Sequence, residues 1–334
     1  MNQPLADQIE AGVRLNSIRG DFLQLIILPT EKCNLRCRYC YEDFVQGNMS
    51  IDTILGIKHM LKSRINSLSY LQIGWFGGEP LLNFRAISEI CGFIKDNSPP
   101  SLNFRSSIST NATLLDSQKL KSLIDLNIFD YQITLDGDQL VHDSTRITRS
   151  GKGTFSKIWN SLTNFKGLDA DFNVRLRIHL TRKNASSQLN LLKKIADEFG
   201  GDPRWSVHIK KIEQLSKDFS AKYLLLENPA TLDEIKKYAR NLGLNVADSE
   251  DHICYAAKPN SFVIRANGMV SKCTVAFDAP INNIGRVTKN GLSIDNKKYV
   301  QWIQPVLDNK LKDAACPLHA LYRDKSSQII IREP

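Results

Sequence analysis

The amino-acid sequence predicts an α/β fold, and two observations support this prediction. From residue 22 to residue 212, short apolar runs rich in strand formers alternate with segments of helical spacing, which predicts a parallel sheet with helices outside it. The chain of 334 residues is also long enough for a barrel-sized domain plus a small appendage. The strand–helix units favour a partial (β/α)6 barrel, similar to a TIM barrel, over a flat doubly wound sheet. Periodicity alone does not separate these two folds.

The individual elements can be placed in order along the chain. Phe22 to Pro29 is an apolar run that ends in a proline, which predicts a buried strand. The helix that follows begins at Ser50, a residue type that caps helices. The other strands are predicted at residues 71–76, 104–109, 131–135, 173–180 and 205–212, and the helices at residues 50–65, 82–95, 117–126, 155–165 and 187–199.

The pattern changes after Glu213, and this change predicts how the domains are arranged. Residues 233–242 have helical spacing, whereas from Cys254 onward short apolar runs, glycines and asparagines replace the long helices. The predicted organisation is an N-terminal extension (1–20), a barrel domain (21–215), a helical linker (216–250) and a small C-terminal domain (251–334).

Composition and charge limit the class of protein. With 42% hydrophobic and 24% charged residues, the chain is typical of soluble globular proteins. No apolar run reaches the ~20 residues that span a bilayer, and no secretory signal is evident, so we expect a cytoplasmic protein that binds no membrane. The net charge of +9 comes from scattered residues such as Arg175, Arg177 and Lys210. We interpret it as a solvated surface, suited also to an anionic ligand or an acidic partner, and we expect no nucleic-acid partner.

Seven cysteines in a chain that is expected to be cytoplasmic argue against a disulfide framework, and an odd number cannot pair completely. Cys33, Cys37 and Cys40 lie within eight residues, directly after the first predicted strand. Three thiolates on one loop can bind three irons of a [4Fe–4S] cube and leave the fourth iron open to a substrate or cofactor. A zinc site is the alternative, but zinc sites usually show a second Cys pair nearby. Cys91 lies on a predicted helix and is expected in the core.

A second motif, Gly77-Gly78-Glu79-Pro80, follows the second predicted strand. Two glycines let the backbone approach a ligand closely, and the glutamate offers a carboxylate to an ammonium group. A plain Gly-Gly turn is the simpler alternative.

The spacing of the three cysteines together with the GGEP motif resembles the radical S-adenosylmethionine (SAM) superfamily. The resemblance covers about residues 20–215 and implies a partial barrel with ligands at the carboxyl ends of its strands. It also implies a chemistry: a reduced [4Fe–4S] cluster cleaves SAM to methionine and a 5′-deoxyadenosyl radical, which abstracts a hydrogen atom from a substrate.

Further segments match the family in the expected order. Ser109-Thr-Asn111 resembles a SAM-contacting stretch that often reads TNG, with Ala112 in place of the glycine, and Asp136 lies in a segment similar to SLDG. Arg146 ends a segment similar to HDxxR, whose arginine can pair with the SAM carboxylate. For Asp136 and His142, turn chemistry and capping remain open as alternatives. The resemblance implies SAM contacts by Tyr39 (near the adenine), Gly77, Gly78, Glu79, Ser109, Asn111, Asp136 and Arg146.

The later cysteines resemble a different family feature. Cys254, Gly268 and Cys273 match the C…GxxxxC hairpin that opens SPASM and twitch domains, and Asn267-Gly268 predicts the turn of that hairpin. With Cys316 as a third ligand, the chain supports at most one auxiliary iron–sulfur cluster, expected as [4Fe–4S], so "twitch-like" is the better description. The fourth ligand is open between His319, which follows Cys316 in CPLH, and an open iron; zinc is the alternative metal.

The resemblance implies an oxidoreductase that modifies a peptide or protein side chain by crosslinking, epimerisation or oxidation, as in ribosomal peptide maturation. A dehydrogenase of a small molecule such as an aminosugar or aminocyclitol is the alternative. Only about 20 residues precede the first strand, so a peptide substrate would need a separate recognition protein or a groove near the C-terminal domain. The expected electron donor is a flavodoxin or ferredoxin. The sequence does not identify the substrate, the bond formed or the oligomeric state.

Overall fold

The computed structural model describes residues 12, 14–42, 44–212, 225, 228, 230–247 and 253–323. The strands are β1 (Phe22–Thr30), β2 (Tyr70–Gly77), β3 (Asn103–Thr110), β4 (Ile128–Leu135), β5 (Asn173–Leu180), β6 (Trp205–Lys211), β7 (Ser261–Ile264), β8 (Met269–Ser271), β9 (Gly285–Thr288) and β10 (Gly291–Ile294). The helices are α1 (Ile51–Arg64), α2 (Phe84–Asn97), α3 (Ser117–Asp125), α4 (Gln139–Thr145), α5 (Phe155–Lys166), α6 (Ala185–Phe199), α7 (Ala230–Asn241), α8 (Asn296–Leu307), α9 (Leu311–Ala315) and α10 (Pro317–Arg323). Within these ranges, no helix has the length and apolar character needed to cross a membrane.

The strand order distinguishes between the two folds that periodicity left open. β1 to β6 lie side by side in chain order and pair in parallel. A doubly wound sheet reverses its strand order, whereas right-handed crossovers in an unbroken order place the connecting helices on one face. The parallel core is therefore of barrel type. It is open, because β6 ends one edge of the sheet while β1 pairs on its other side with β7.

The predicted elements of this core are confirmed to within a few residues. Ser50 caps α1, because its side chain accepts a hydrogen bond from the Thr53 N–H at 3.2 Å. Cys91 on α2 is fully buried in the apolar core, as expected. The predicted domain boundaries at 215 and 250 lie outside the described residues, so the division into domains stays a prediction.

Alternation along the strands gives the sheet two different faces. In β5, Val174, Leu176 and Ile178 are fully buried against the helices, whereas Arg175 and Arg177 between them are not. Successive side chains of a strand point to opposite faces, so the polar residues share the face that the helices leave uncovered. We call this uncovered face of β1–β6 the inner face.

The C-terminal strands extend the same sheet. β7 pairs in parallel with β1, and β7, β8, β9 and β10 follow as antiparallel neighbours. The predicted hairpin is confirmed, with Gly268 at φ +81° in its turn. A Cβ at Gly268 would lie 2.6 Å from the Val287 carbonyl oxygen, so only glycine fits.

The expectation that no long helix follows Cys254 is wrong. α8 runs for 12 residues, and Asp295 caps it by accepting hydrogen bonds from the first backbone N–H groups. Trp302 and Val306 are fully buried, so tertiary packing stabilises the helix. Pro305 removes one backbone donor near its C-terminal end, which weakened the helical signal in the sequence.

A buried ion pair joins the end of β1 to the β7–β8 hairpin. The Arg265 guanidinium donates to both carboxylate oxygens of Glu31, at 3.0 and 2.5 Å, and the Ala266 N–H adds a third hydrogen bond at 3.4 Å. Glu31 is fully buried and the Arg265 side chain is 8% exposed. Arg265 also lies over the Phe277 ring, 4.3 Å from its centroid.

We expect Arg265→Met to lower the free energy of unfolding by about 3 kcal/mol, because it leaves the Glu31 carboxylate buried without its counter-charge. Urea denaturation followed by circular dichroism measures this loss. The control is Arg85→Met, which removes an exposed partner of Glu89 and should cost less than about 1 kcal/mol. Equal losses for the two variants would contradict the assignment.

Candidate functional site

The loop that carries Cys33, Cys37 and Cys40 is held against the segment that follows α4. The Arg36 N–H bonds to the Ile147 carbonyl at 2.8 Å, and the Arg38 N–H bonds to the Thr145 carbonyl at 3.1 Å. The loop begins where β1 ends, so the sheet fixes one side of it. The strand before the cysteines and the segment around residues 145–148 therefore position the three thiols.

The chemistry of these thiols suits an electron-poor metal centre. Burial raises the pKa of Cys33 to about 11 and that of Cys40 to about 12, and it raises the pKa of Cys37 as well. Negative charge on one cysteine further raises the pKa of its neighbours, so the thiols lie within electrostatic reach of one another. Metal ligation requires thiolates, and a cationic iron centre supplies the charge that would stabilise them. The chemistry of the donors therefore suits an iron–sulfur cluster, although within the described residues no group of three or more His, Cys, Asp or Glu side chains could hold a single metal ion.

The GGEP segment packs directly on the cysteine loop. Gly77 has φ +110°, and a Cβ there would lie 2.4 Å from the Thr30 carbonyl oxygen. A Cβ on Gly78 would lie 2.4 Å from the Lys32 carbonyl oxygen. The Glu79 N–H donates to that same carbonyl at 2.9 Å. Both glycines are therefore needed for the close approach of the two loops.

The Glu79 carboxylate is fully buried and already has several partners. It accepts hydrogen bonds from the Thr110 hydroxyl at 2.7 Å, the Asn111 N–H at 2.7 Å and the Leu81 N–H at 3.1 Å. Burial raises the pKa of Glu79, although these hydrogen bonds act in the opposite direction. A carboxylate offers about four acceptor positions, so one remains. Binding of a SAM ammonium group by Glu79 stays a prediction.

Asn111 lies between the GGEP segment and the cysteine loop. Its Nδ2 donates to Asn34 Oδ1 at 2.8 Å and lies 3.8 Å from Cys33 Sγ. Ser109 is on the inner face, where its hydroxyl accepts a hydrogen bond from Gln132 Nε2 at 3.2 Å. Ala112, which replaces the expected glycine, has φ +62°. The structure therefore brings Asn111 to the first cysteine, while SAM contact by Ser109 and Asn111 stays a prediction.

Tyr39, Asp136 and Arg146 form one hydrogen-bonded group beside the cysteines. Arg146 Nη1 donates to the Tyr39 hydroxyl at 2.7 Å, and that hydroxyl donates to Asp136 Oδ1 at 2.9 Å. The Thr145 hydroxyl donates to Asp136 Oδ2 at 2.7 Å, and His179 Nδ1 lies 3.3 Å from Oδ1. Arg146 Nε is buried and has no acceptor in the described part of the chain. Arg146 can therefore still bind a ligand carboxylate.

Electrostatics keeps Asp136 ionised. Burial alone would raise the pKa of Asp136, but the contact with His179 and the charge of Arg146 hold it well below its usual range. His142 is fully buried, and burial lowers its pKa to about 4. Its Nε2 lies 3.1 Å from the Thr154 hydroxyl, so this neutral imidazole supports the loop. Of the alternatives open for His142, the structure favours local hydrogen bonding.

The second cysteine group is brought together by the hairpin and the C-terminal helices. The Cys254 N–H bonds to the Ala314 carbonyl at 3.0 Å, and Cys273 follows β8. Burial raises the pKa of Cys273 to about 12, and negative charge on Cys254 and Cys316 adds to this effect. The His319 N–H bonds to the Cys316 carbonyl at 3.1 Å. Three thiols thus lie within electrostatic reach, and ligation by His319 stays a prediction.

Lys272, next to Cys273, is a buried residue that the sequence analysis missed. Its ammonium group donates to the Lys258 and Ser261 carbonyls, both at 2.6 Å, and lies over the rings of Phe262 and Tyr299. The side chain thereby ties the segment after Cys254 to β7. No signal in the sequence reveals this role, because lysine in a hairpin strand is usually exposed.

Arg177 and His208 are also polar residues of the site that the sequence analysis did not identify. Both lie on the inner face, and Arg177 Nε donates to His179 Nε2 at 2.9 Å. The sequence feature that could have identified them is the strict alternation of apolar and polar residues in β5, which indicates a strand with one polar face.

Comparison with known proteins agrees with this geometry. Residues 27–183 match the sequence profile of the Radical SAM superfamily. The chain contains a radical SAM domain. This match includes the first three cysteines, the GGEP segment and Arg146, and it ends before the second cysteine group.

The curated relatives include sulfatase-maturating enzymes. The domain is similar to a cysteine-type anaerobic sulfatase-maturating enzyme of Clostridium perfringens, with 28% identity over 162 residues that cover 46% of this chain and 43% of that enzyme. It is 33% identical to protein MJ0907 of Methanocaldococcus jannaschii over 136 residues, which are 38% of this chain and 43% of that protein. The matched region thus spans less than half the length of these relatives.

Solved structures share the fold over most of the chain. The structure of anSMEcpe with bound AdoMet matches with a TM-score of 0.65 and 19% identity, over 84% of this chain and 80% of that one. SuiB from Streptococcus suis, bound to S-adenosylmethionine, matches with a TM-score of 0.58 and 13% identity, over 92% and 72%. The expected α/β fold with a parallel core is therefore confirmed.

The three hydrogen bonds that the Glu79 carboxylate accepts give a sharp prediction. The Leu81 N–H donates to one oxygen of Glu79, and the Asn111 N–H donates to the other. In Glu79→Gln, an N–H₂ group replaces one of these oxygens, so two donors would face each other in either orientation of the amide. We expect a loss of about 2 kcal/mol in the free energy of unfolding, the cost of a buried unsatisfied donor. Urea denaturation measures it, with Glu198→Gln as control, because Glu198 is only half-buried and pairs with the exposed Lys166. A loss no larger than that of the control would contradict the geometry.

Proposed function

We propose that this protein is a radical SAM oxidoreductase that modifies a peptide or protein side chain. The observation that carries the proposal is the direct contact between the cysteine loop and the GGEP segment, through the Lys32 carbonyl. This contact supports the proposal, because it joins the loop of the three cysteines to the segment that would hold the methionine part of SAM.

The chain's own residues can be given roles in this chemistry. Cys33, Cys37 and Cys40 would hold a [4Fe–4S] cluster, which supplies the electron that cleaves bound SAM when the cluster is reduced. Gly77, Gly78 and Glu79 would orient the SAM amino group. Arg146 would bind its carboxylate, with Tyr39 and Asp136 holding the guanidinium in place. Ser109 and Asn111 complete the proposed SAM site.

An auxiliary [4Fe–4S] cluster held by Cys254, Cys273 and Cys316 is the second part of the proposal. The mutual electrostatic effect of these thiols supports it. The fourth ligand is His319 or an open iron site.

A peptide substrate is supported by the relatives and by the structures that share the fold. The curated relatives include sulfatase-maturating enzymes. The structure of anSMEcpe has been solved with AdoMet and the Cp18Cys peptide, and SuiB with its precursor peptide SuiA. The reaction type, a separate recognition protein and a flavodoxin or ferredoxin as electron donor remain predictions.

Cleavage of SAM tests the enzyme proposal. The anaerobically reconstituted protein, given SAM and dithionite, should form 5′-deoxyadenosine. Cys37→Ala should reduce this product to the background without protein, because the cluster loses one of three ligands. Cys91→Ala, which changes a cysteine of the core, should retain the product. Equal product from the wild type and Cys37→Ala would refute the proposal.

Iron content tests the auxiliary cluster. Two [4Fe–4S] clusters correspond to about eight irons per chain, and Cys273→Ala should leave about four. Iron analysis together with Mössbauer spectroscopy of the reconstituted protein gives the count. About four irons in the wild type would remove the second cluster from the proposal and leave the first intact.

A further inference from the structure

The inner face of β5 and β6 carries a concentration of basic side chains. Register pairs Arg175 with Ser206, Arg177 with His208, and His179 with Lys210. These residues alternate with buried apolar residues, so their side chains share the uncovered face. Residues that the sequence presents as scattered charge are therefore neighbours in space.

Two carboxylates border this group, and both are already engaged. Asp136 lies 3.3 Å from His179 and accepts hydrogen bonds from the Tyr39 and Thr145 hydroxyls. Asp130 accepts two hydrogen bonds from Arg105, at 2.5 and 2.8 Å, and one from Asn173 at 2.9 Å. In the described part of the chain, no carboxylate lies within ion-pair distance of Arg175 or Arg177. The two guanidinium groups can therefore accept an anion.

Repulsion between the positive charges of this group affects the pKa of His208. The pKa of His208 is lowered to about 4 by burial and by the positive charges of Arg177, Arg175, Lys210 and Lys236. An anion bound among these groups would relieve the repulsion. The surrounding structure thus favours negative charge at this place.

The basic group lies beside the proposed SAM site. Arg177 donates to His179, whose ring contacts the edge of Tyr39 at a centroid distance of 5.0 Å. The positive charge of Arg177 also acts on Tyr41: it favours a lower pKa, but burial has the larger effect and the pKa of Tyr41 is raised. Tyr39 and Tyr41 flank Cys40, so Arg177 is adjacent to the cysteine loop.

We propose that Arg175 and Arg177 bind the carboxylate of an aspartate or glutamate in the substrate peptide, next to the residue that is modified. This inference rests on the proposed function, because it assumes that a peptide occupies the inner face. Guanidinium groups pair with carboxylates through two parallel hydrogen bonds, which fixes orientation as well as charge. The acidic residue thereby places its neighbour in the peptide towards the SAM site.

A binding experiment tests the proposal without turnover. Immobilised holoenzyme, saturated with SAM under anaerobic conditions, is incubated with an equimolar library of random decapeptides, and mass spectrometry quantifies the bound peptides. We expect Asp and Glu to be enriched about tenfold over Asn and Gln, the effect of one hydrogen-bonded charge. The Arg175→Gln/Arg177→Gln variant should lose this preference. Arg149→Gln, at an exposed position outside the inner face, should keep it.

A charge-reversal variant distinguishes a changed binding preference from misfolding. Arg177→Glu should shift the enrichment towards Lys and Arg, a gain that a misfolded protein would not show. The proposal is overturned if the wild type shows no acidic preference or if the double variant retains it. It is also overturned if equilibrium dialysis shows that the double variant loses SAM and keeps its peptide preference, since the arginines would then serve the SAM carboxylate. Failure of the wild type to form 5′-deoxyadenosine, with the acidic preference present, would refute the enzyme proposal alone.

Discussion

The buried pair between Glu31 and Arg265 connects the two parts of the chain on which the proposed chemistry depends. Glu31 lies two residues before Cys33, and Arg265 lies eight residues before Cys273. Pairing of β7 with β1 brings the hairpin to this place, and the ion pair fixes it there. A buried ion pair gives specificity of arrangement more readily than net stability. The relative position of the two cysteine groups therefore depends on the β1–β7 pairing and on this ion pair.

Close packing of polar loops accounts for the rest of the site. The GGEP segment has no room for side chains at Gly77 and Gly78, and the Glu79 carboxylate is occupied by donors from β3 and its own turn. Asp136 similarly binds groups from the cysteine loop and from the end of α4. Each loop is thus held by hydrogen bonds from its neighbours within the protein. Such preorganisation would lower the cost of positioning a ligand.

One face of the sheet packs against the helices and stabilises the fold, whereas the other carries the polar side chains proposed to bind ligands. Apolar residues of β4 and β5 face the helices, and the same strands present Gln132, Arg175 and Arg177 on the inner face. The sequence predicts β5 from its alternation and assigns its arginines to a solvated surface that also suits an anionic ligand or an acidic partner. They could not be assigned to a group, because their neighbours on β6 are about thirty residues away along the chain. Register alone makes Arg177 a neighbour of His208.

The sequence by itself determined the local features: the core strands and helices, the cysteine loop, the glycines of the GGEP segment and the Asn-Gly hairpin. These depend on short-range spacing, on backbone conformations that only glycine tolerates and on apolar periodicity. Tertiary structure alone decided the barrel-type strand order, the helix from Asn296 to Leu307, and the burial of Lys272. It also decided which charges meet, as in Glu31 with Arg265. The physical reason is that strand pairing and the satisfaction of buried polar groups join residues far apart in the chain, and local patterns carry no record of such partners.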